Sequence, residues 1–319
     1  MTNRKRFLLW MVLGVVVLIV LIPYGIAVSE SDGQPPDTLF AQSAIVDVDG
    51  IFLHVRQWEP VGPEKGRILL VHGLGGSTYS WRYTVGPLSE EGFRVLAVDL
   101  PAFGYSSRQR GLDHSQRQRS TLLWQFLEQE DPGQTWILAG HSMGGGTVAA
   151  MAMERPQQTE GIVLVAGAVF ETNRGAASRI LAFPPAGRWA EVLVEGLVVR
   201  EERIRSSLTS AYGRTPSEEE VRAHLAPLEQ AGTAGALVDL LRTAGNEPLE
   251  TLKNSAVPVW AIWGERDAWV PLDQAVRLQE EIERTELSVV EGAYHCPMET
   301  HPEAFNRILL DLLAHSMDD

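Results

Sequence analysis

The chain has 319 residues, of which 45% are hydrophobic and 21% charged, and this suits one large globular domain or a core domain with an insertion. Its formal net charge of −14 argues against nucleic acid as a partner, because phosphate recognition needs clustered Lys and Arg side chains. Cys296 is the only cysteine, which excludes an intramolecular disulfide framework and a cysteine-based zinc site.

The first predicted element is an apolar segment at the N-terminus. Three basic residues, Arg4 to Arg6, precede a stretch from Phe7 to Val28 that contains no charged side chain. Its length of about 22 residues exceeds the roughly 7–15 of a signal-peptide core and reaches the roughly 20 needed to span a bilayer. The sequence therefore predicts that residues 1–28 form a single-pass membrane anchor, with the N-terminus cytoplasmic and the rest of the chain extracytoplasmic. Ala27-Val28-Ser29 also fits a cleavage site, so a cleaved signal with a secreted or periplasmic product stays open.

Beyond the apolar segment, residues 29–43 are polar and contain prolines, which predicts a linker. Alternating apolar and polar residues then surround Asp49-Gly50, which predicts a β-hairpin. Short, nearly continuous apolar runs follow, and such runs are typical of parallel strands buried on both faces. The runs are Ile68–Val71, Val95–Val98, Trp136–Ala139, Ile162–Val165, Val259–Trp263 and Leu287–Val290.

Segments with helical character separate most of these runs, and alternating β and α elements predict a doubly wound, mostly parallel α/β sheet. We expect residues 44–168 and 253–319 to form this core. The helical segments are Tyr83–Glu91, Ser115–Gln129, Gly144–Arg155, Leu272–Glu283 and Glu303–Leu313.

The alternation stops in residues 169–252, where helical segments are broken by glycines and prolines, and this predicts a helical lid inserted over the sheet. The segments are Ala176–Phe183, Trp189–Leu208, Ser217–Glu229 and Thr233–Leu241. Large apolar side chains in this region either line an acyl pocket or pack the lid on the core, and the sequence leaves both open. They are Phe170, Ile180, Leu181, Phe183, Trp189, Leu193 and Leu197.

The most informative motif is Gly140-His141-Ser142-Met143-Gly144, which lies between an apolar run and a helical segment. A G-x-S-x-G sequence at a strand-to-helix junction is what a nucleophile elbow requires, because the turn is too tight for side chains at the flanking positions. Ser142 is therefore the candidate nucleophile. The backbone N–H of Met143, the next residue, is one candidate oxyanion donor.

A second oxyanion donor is predicted in the glycine-rich loop after the run Ile68–Val71. His72-Gly73-Leu74-Gly75-Gly76 lets a backbone N–H approach a developing oxyanion closely, and Leu74 N–H is the candidate.

The acid and the base are predicted at the ends of two later strands. Asp267 follows the run Val259–Trp263, where a carboxylate can accept the Nδ1–H of a histidine and fix its tautomer. His295 follows the last strand, on a loop that can reach a serine at the same sheet edge. Glu265 is the competing acid and His301 the competing histidine, but their positions are less favourable.

Five motifs in order make the resemblance to a known family specific. They are His72-Gly73, Asp99-Leu-Pro-Ala-Phe-Gly104-Tyr-Ser106, Gly140-His-Ser142-Met-Gly144-Gly145, Gly264-Glu-Arg-Asp267 with Pro271, and His295 with Pro302-Glu-Ala-Phe305. From Ala44 to Ala314 the chain resembles the α/β-hydrolase fold family, and looks closest to its lidded serine esterases, lipases and carbon–carbon hydrolases. The resemblance implies that Ser142 is the nucleophile, His295 the base and then the acid, and Asp267 its orienting partner.

Two positions depart from the family pattern. Ala102 replaces the first glycine of the Pro-Gly-x-Gly segment after Asp99, which we expect to alter the loop without touching the triad. Glu299 lies four residues after His295 and Thr300 five, whereas the family usually has Glu at plus five. This affects a supporting contact near the last helix.

The serine at the elbow excludes the aspartate-dependent dehalogenases and epoxide hydrolases of this fold. The predicted function is hydrolysis of a carboxylic ester, such as a monoacylglycerol or another lipid-like ester, through an acyl-enzyme and without a metal or organic cofactor. A carbon–carbon hydrolase, a cofactor-free haloperoxidase-like enzyme and a ligand-binding receptor on a hydrolase scaffold are the alternatives. The expected partners are a small-molecule ester and, through the N-terminal helix, a membrane.

Overall fold

A computed structural model describes residues 3–31, 40–170 and 175–318, so most of the predicted linker, residues 32–39, lies outside the described residues. Its centre is an eight-stranded sheet in the order β1-β2-β4-β3-β5-β6-β7-β8, in which β2 pairs antiparallel with both β1 and β4 and all other pairs are parallel. The predicted mostly parallel α/β sheet is confirmed. The strands are β1 Ser43–Val48, β2 Ile51–Trp58, β3 Gly66–Val71, β4 Phe93–Val98, β5 Trp136–His141, β6 Thr159–Val165, β7 Val259–Gly264 and β8 Thr285–Val290.

Thirteen helices are described in the ranges given above. They are α1 Asn3–Leu21, α2 Val85–Glu90, α3 Gln116–Glu130, α4 Met143–Glu154, α5 Gly175–Leu181, α6 Pro184–Leu193, α7 Glu201–Tyr212, α8 Glu218–Leu228, α9 Thr233–Thr243, α10 Glu250–Lys253, α11 Leu272–Glu281, α12 Pro297–Thr300 and α13 Pro302–Asp318. Short 3₁₀ turns cover Ile22–Gly25, Thr78–Trp81 and Pro156–Gln158, and a π-helical turn covers Val194–Val198.

The central strands carry continuous apolar runs, such as Ile68–Val71 in β3 and Ile162–Val165 in β6, because helices cover both faces of the sheet. In β3, Leu69 and Val71 belong to the core shared with α3, α4 and α11, whereas Ile68 and Leu70 belong to the core shared with α2 and α13. This alternation follows from the two-residue period of a strand. Both layers are fully buried, so the sheet is a rigid frame for the loops at its edge.

The β1–β2 hairpin forms around the predicted Asp49-Gly50 pair. Val48 pairs with Ile51, and both loop residues have positive φ, +51° and +81°. Two positive φ values are what a type I′ turn needs, and Asp and Gly tolerate them best. The Asp47 carboxylate also accepts the Gly50 N–H at 2.7 Å.

Between β6 and β7 the chain forms helices α5 to α10, of which we call α5 to α9 the helical insertion. The structure divides the predicted helical segment Trp189–Leu208 among α6, the π-helical turn and α7. Arg200 is extended, with φ −141° and ψ 141°, and interrupts the helix just before α7. Glu201 and Glu202 occupy the first turn of α7, where negative charge favours a new helix start.

The N-terminal helix and its following turn, Asn3–Gly25, are long and apolar enough to cross a membrane, with a mean hydropathy of 2.8 and nearly all side chains exposed. At 1.5 Å per residue, the 19 residues of α1 span about 29 Å, close to the ~30 Å of a bilayer's hydrocarbon core. The helix contacts the insertion at its C-terminal end. Trp189 Nε1 donates to the Ile19 carbonyl at 2.8 Å, and Arg188 donates to the carbonyls of Pro23 and Ile26.

Candidate active site

Ser142 lies in the turn between β5 and α4 with φ +49° and ψ −117°, a conformation that L residues rarely adopt. Such a backbone costs on the order of 1–3 kcal/mol and persists only where its surroundings hold it. Here the Ser142 N–H donates to the Val165 carbonyl at 2.9 Å, and the Ser142 carbonyl accepts the N–H groups of Gly145 and Ala168. Ser142 and Met143 are partly exposed, whereas His141 and Gly144 on either side of them are buried.

The glycines around Ser142 are required by close backbone contacts. A Cβ at Gly140 would lie 2.3 Å from the Gly144 carbonyl oxygen, and one at Gly144 would lie 2.5 Å from the Val71 oxygen. Real Cβ atoms do not come this close to a backbone atom. Gly140 is therefore required by contact within the strand–turn–helix itself, and Gly144 by contact with the end of the neighbouring strand β3.

Asp267 and His295 are hydrogen-bonded to each other, with 2.8 Å between Asp267 Oδ2 and His295 Nδ1. The other carboxylate oxygen accepts two backbone N–H groups, from Trp269 at 2.8 Å and Val270 at 3.0 Å. These bonds fix the carboxylate and leave His295 Nε2 as the free ring nitrogen. Glu265, the competing acid, instead accepts the Gly292 N–H in an exposed position.

The loop that carries His295 is fixed from three sides. The His295 N–H donates to the Ala211 carbonyl in α7 at 3.0 Å, and the His295 carbonyl is 2.9 Å from His141 Nε2. Burial, with the nearby His295, lowers the pKa of His141 well below its ordinary value, so His141 is a neutral donor. The Trp269 ring stacks on the imidazole of His295 at 5.2 Å between centroids.

The Gly73-Leu74 loop lies directly beside the elbow. A Cβ at Gly73 would be 3.0 Å from Ser142 Cβ and 2.8 Å from His141 Nδ1, which is why glycine is needed there. Met143 is the first residue of α4, where backbone N–H groups have no acceptor within the helix. Both predicted oxyanion donors, Leu74 and Met143, therefore belong to backbone segments that flank Ser142.

The remaining histidines near the motifs support the loops. His72 Nε2 accepts the Leu100 N–H at 3.0 Å, which ties the ends of β3 and β4 together. Burial lowers the pKa of His72, which keeps Nε2 free to accept. His301 lies beside Thr300 at the start of α13, with 3.0 Å between its Nδ1 and the Thr300 hydroxyl.

A second Ser–His–Asp set is present that sequence reasoning missed. The Ser43 hydroxyl is 2.9 Å from His54 Nε2, and His54 Nδ1 is 2.6 Å from Asp99 Oδ2. Asp99 also accepts the N–H groups of Thr78 and Tyr105. Although burial opposes it, the His54 hydrogen bond and charge lower the pKa of Asp99. Ser43 lies in an edge strand rather than at an elbow, so this set fastens β1 and β2 to the loop after β4.

The two departures from the family pattern have visible consequences. Ala102 keeps a left-handed backbone, φ +78°, and its N–H donates to the Ser107 carbonyl at 2.9 Å, so the loop retains a glycine-like conformation. Glu299 is buried and accepts the Tyr212 hydroxyl at 2.7 Å and an Nη1–H of Arg82. It therefore joins α7 of the insertion to the core, four residues from His295.

Arg82 extends this junction to the next helix of the insertion. Its Nη2 lies 3.4 Å from Glu220, whose carboxylate also accepts two bonds from Arg214. The hydrogen bond from Arg214, opposed by partial burial, lowers the pKa of Glu220 to about 2. The insertion is thus attached to the core through paired charges beside the candidate site. No three His, Cys, Asp or Glu side chains group as metal ligands within residues 3–31, 40–170 and 175–318.

Comparison with known proteins places this geometry in a family. The model of the α/β hydrolase fold matches residues 66–302. A pimeloyl-acyl-carrier-protein methyl ester esterase of Yersinia enterocolitica is 28% identical over 81% of this chain and 97% of its own. A 2-hydroxy-6-oxononadienedioate/2-hydroxy-6-oxononatrienedioate hydrolase of Pseudomonas putida is 27% identical over 80% and 90%.

A solved structure extends the likeness to the N-terminal helix. The crystal structure of a membrane phospholipase A described as a bacterial virulence factor superposes with a TM-score of 0.70 at 23% identity, covering 99% of this chain and 100% of that one. At this identity the likeness shows the fold alone. Together with the family match over most of the sheet, it leads to one conclusion: the chain belongs to the α/β-hydrolase family.

Proposed function

We propose that the protein is a serine hydrolase that cleaves carboxylic esters through an acyl-enzyme. Ser142 Oγ attacks the ester carbonyl while His295 Nε2 takes its proton, and the N–H groups of Leu74 and Met143 stabilise the oxyanion. Collapse of the tetrahedral intermediate expels the alcohol, which takes the proton from His295. Water then attacks the acyl-enzyme by the same route in reverse. Asp267 keeps the imidazole in the required tautomer throughout.

One observation carries this proposal most strongly. The only hydrogen bond that Asp267 Oδ2 makes among the described residues is to His295 Nδ1, while Oδ1 is saturated by two backbone N–H groups. This is the arrangement of an orienting acid, and it occurs at the sheet edge that also carries the strained Ser142.

The alternatives use the same residues with other substrates. A carbon–carbon hydrolase gains support from the Pseudomonas putida relative, and a haloperoxidase-like activity from the fold shared with a Bacillus anthracis bromoperoxidase at 24% identity. The esterase hypothesis gains support from the Yersinia relative and from the apolar N-terminal helix. A helix that holds the enzyme at a membrane suits lipid-like ester substrates better than soluble ring-cleavage products. A receptor role would leave the serine unreactive.

Active-site labelling and a substrate series test the proposal. We expect a fluorophosphonate to label Ser142 in the full chain, and p-nitrophenyl esters from two to sixteen carbons to be hydrolysed with a maximum at eight or more. A short-chain maximum would point to a general carboxylesterase. Turnover of a vinylogous diketone without ester hydrolysis would favour a carbon–carbon hydrolase. If Ser142 is not labelled and no substrate is turned over, the proposed hydrolase activity is wrong.

We further propose that residues 1–28 anchor the protein in a membrane and that residues 169–252 form a lid next to that membrane. Trp189 donates to the Ile19 carbonyl, at the end of a helix about as long as the hydrocarbon core is thick. Trp and Arg are the side chains that suit the membrane–water boundary, and Arg188 makes the adjoining bonds. Helix α6 therefore lies at the level of the outer boundary.

The sequence left open whether the apolar lid residues line a pocket or pack on the core, and four of them are largely exposed. Ile180, on α5, is 59% exposed, and Phe183, Leu193 and Leu197, on the ten-residue helix α6 or next to it, are 59%, 50% and 53% exposed. Ten helical residues extend only about 15 Å, so these side chains lie close to the level of Trp189. An exposed apolar surface there suits contact with lipid.

Leu193→Glu tests this contact in protein reconstituted in vesicles. We expect hydrolysis of a long-chain ester in the bilayer to fall roughly tenfold, since burying one leucine is worth about 1.5–3 kcal/mol, with soluble p-nitrophenyl acetate turned over as before. Val61→Glu is the control, because Val61 follows Trp58, which pairs with Val95 at the opposite end of the parallel strands. Equal losses on both esters, or none on the vesicle ester, would argue against a lipid-facing lid.

A further inference from the structure

A cavity of about 160 Å³ lies between the β1–β2 hairpin and the N-terminal half of α3. One water molecule needs roughly 10–15 Å³ by a comparable measure, so this space accommodates several heavy atoms. Its apolar walls are formed by Val48, Ile51, Pro101, Leu112 and Leu122. None of the proposed catalytic side chains lines it.

The lining of this cavity includes a buried, charged side chain without a hydrogen-bond acceptor. Arg119 is 2% exposed, and none of its three guanidinium nitrogens has a hydrogen-bond acceptor among the described residues. Burial lowers the pKa of Arg119 to about 10, so the group is still cationic at neutral pH. Buried charges in folded proteins are normally paired, and five N–H donors without an acceptor are the signature of an anion site.

A second donor lines the same cavity. His114 is buried, and its Nε2 also lacks a partner in the described part of the chain. Burial and the Arg119 charge lower the pKa of His114 to about 4, so its ring is neutral at pH 7. A neutral imidazole can donate an Nε2–H to an anion without adding a charge that must itself be neutralised.

The rim of the cavity limits the charge of the ligand. Asp49 and Asp113 both line it, bonded to Gln125 Nε2 and to the Ser115 N–H respectively. Two carboxylates at the entrance repel a dianion such as sulfate or hydrogen phosphate more strongly than a monoanion. The apolar walls favour an anion that carries a short hydrocarbon part.

We propose that Arg119 and His114 form a binding site for a small monocarboxylate, such as acetate or propionate. The planar guanidinium presents two parallel N–H groups that match both oxygens of a carboxylate, and the hydrocarbon end contacts Val48, Ile51 and Leu122. This site is independent of the hydrolase activity proposed above, because it uses none of the same side chains.

Thermal unfolding of the full chain tests the site with acetate and propionate as probes, at constant ionic strength against chloride. Ligand that binds only the folded state stabilises it by RT ln(1 + [L]/Kd), so we expect Tm to rise with the logarithm of the ligand concentration above Kd, by roughly 5 °C at about 100 times Kd. Arg119→Gln should abolish the rise. Arg117→Gln, at an exposed position on the same helix, should retain it.

Arg119→Lys provides a second variant if Arg119→Gln does not fold. Lysine keeps the positive charge but lacks the two parallel N–H groups of the guanidinium. We therefore expect the apparent affinity of this variant for acetate to fall at least tenfold. Identical melting in acetate and chloride would overturn the proposal, as would loss of the effect in Arg117→Gln. A larger rise with sulfate than with acetate would overturn the monocarboxylate assignment.

Discussion

Ser142→Ala is expected to lower kcat for ester hydrolysis by roughly 10⁴- to 10⁶-fold, because no other group can form the acyl-enzyme in its place. The residual rate would come from binding and from the Leu74 and Met143 N–H groups. Stability should change little, since alanine and serine have similar backbone preferences at the strained position. The measurement is kcat on a p-nitrophenyl ester, with urea unfolding of the same preparations.

The matched control is Ser43→Ala, since Ser43 makes the same kind of bond to a His–Asp pair. Removing its hydroxyl leaves His54 Nε2 without a partner and should cost about 1 kcal/mol of unfolding free energy, with kcat unchanged. Fluorophosphonate labelling should be lost in Ser142→Ala and kept in Ser43→Ala. The opposite pattern would show that Ser43 is the nucleophile and that the assignment to Ser142 is wrong.

Local geometry explains why the elbow could be predicted from the sequence. A Cβ at Gly140 would lie 2.3 Å from the Gly144 oxygen, a contact that any strand–turn–helix of this kind creates, although the need for Gly144 comes from Val71 of β3. The strands were predictable for a similar reason, because burial on both faces leaves a continuous apolar run such as Leu69–Val71. Both signals depend on neighbours in the sequence.

Features that depend on distant contacts were not predictable. Ser43, His54 and Asp99 belong to three separate segments, and only the pairing of β1, β2 and β4 brings them together. The helical insertion is interrupted at Arg200, but no proline in the sequence marks this break. The unpaired Arg119 resembles any arginine of an amphipathic helix until its surroundings are known.

The exposed faces of the insertion illustrate the same limit. The sequence predicts helical segments that contain Phe183 and Leu193, but not which side of each segment meets the core. Glu191, on α6 with Leu193, is buried because Arg110 and Arg188 neutralise its charge. Ion pairing thus reversed the usual assignment of apolar residues to the interior.

Asp267→Asn is expected to lower kcat by roughly 10⁴-fold while the protein stays folded. The side-chain oxygen of asparagine can still accept the N–H groups of Trp269 and Val270, which directs the amide NH₂ toward His295 Nδ1. Nδ1 must then accept, so the ring proton moves to Nε2, which is the nitrogen that has to act as the base. The change therefore blocks proton removal from Ser142 without removing any packing.

Asp99→Asn is the control, because Asp99 pairs with His54 as Asp267 pairs with His295. Its carboxylate accepts from His54, Thr78 and Tyr105 in a fully buried position, so the amide leaves at least one donor unsatisfied. We expect a loss of about 3 kcal/mol in unfolding free energy, with kcat of the folded fraction nearly unchanged. If Asp267→Asn instead lowered stability and left kcat intact, Asp267 would be a structural acid and the proposed triad would be wrong. Measuring kcat and urea unfolding on both variants separates the orienting acid from the structural one.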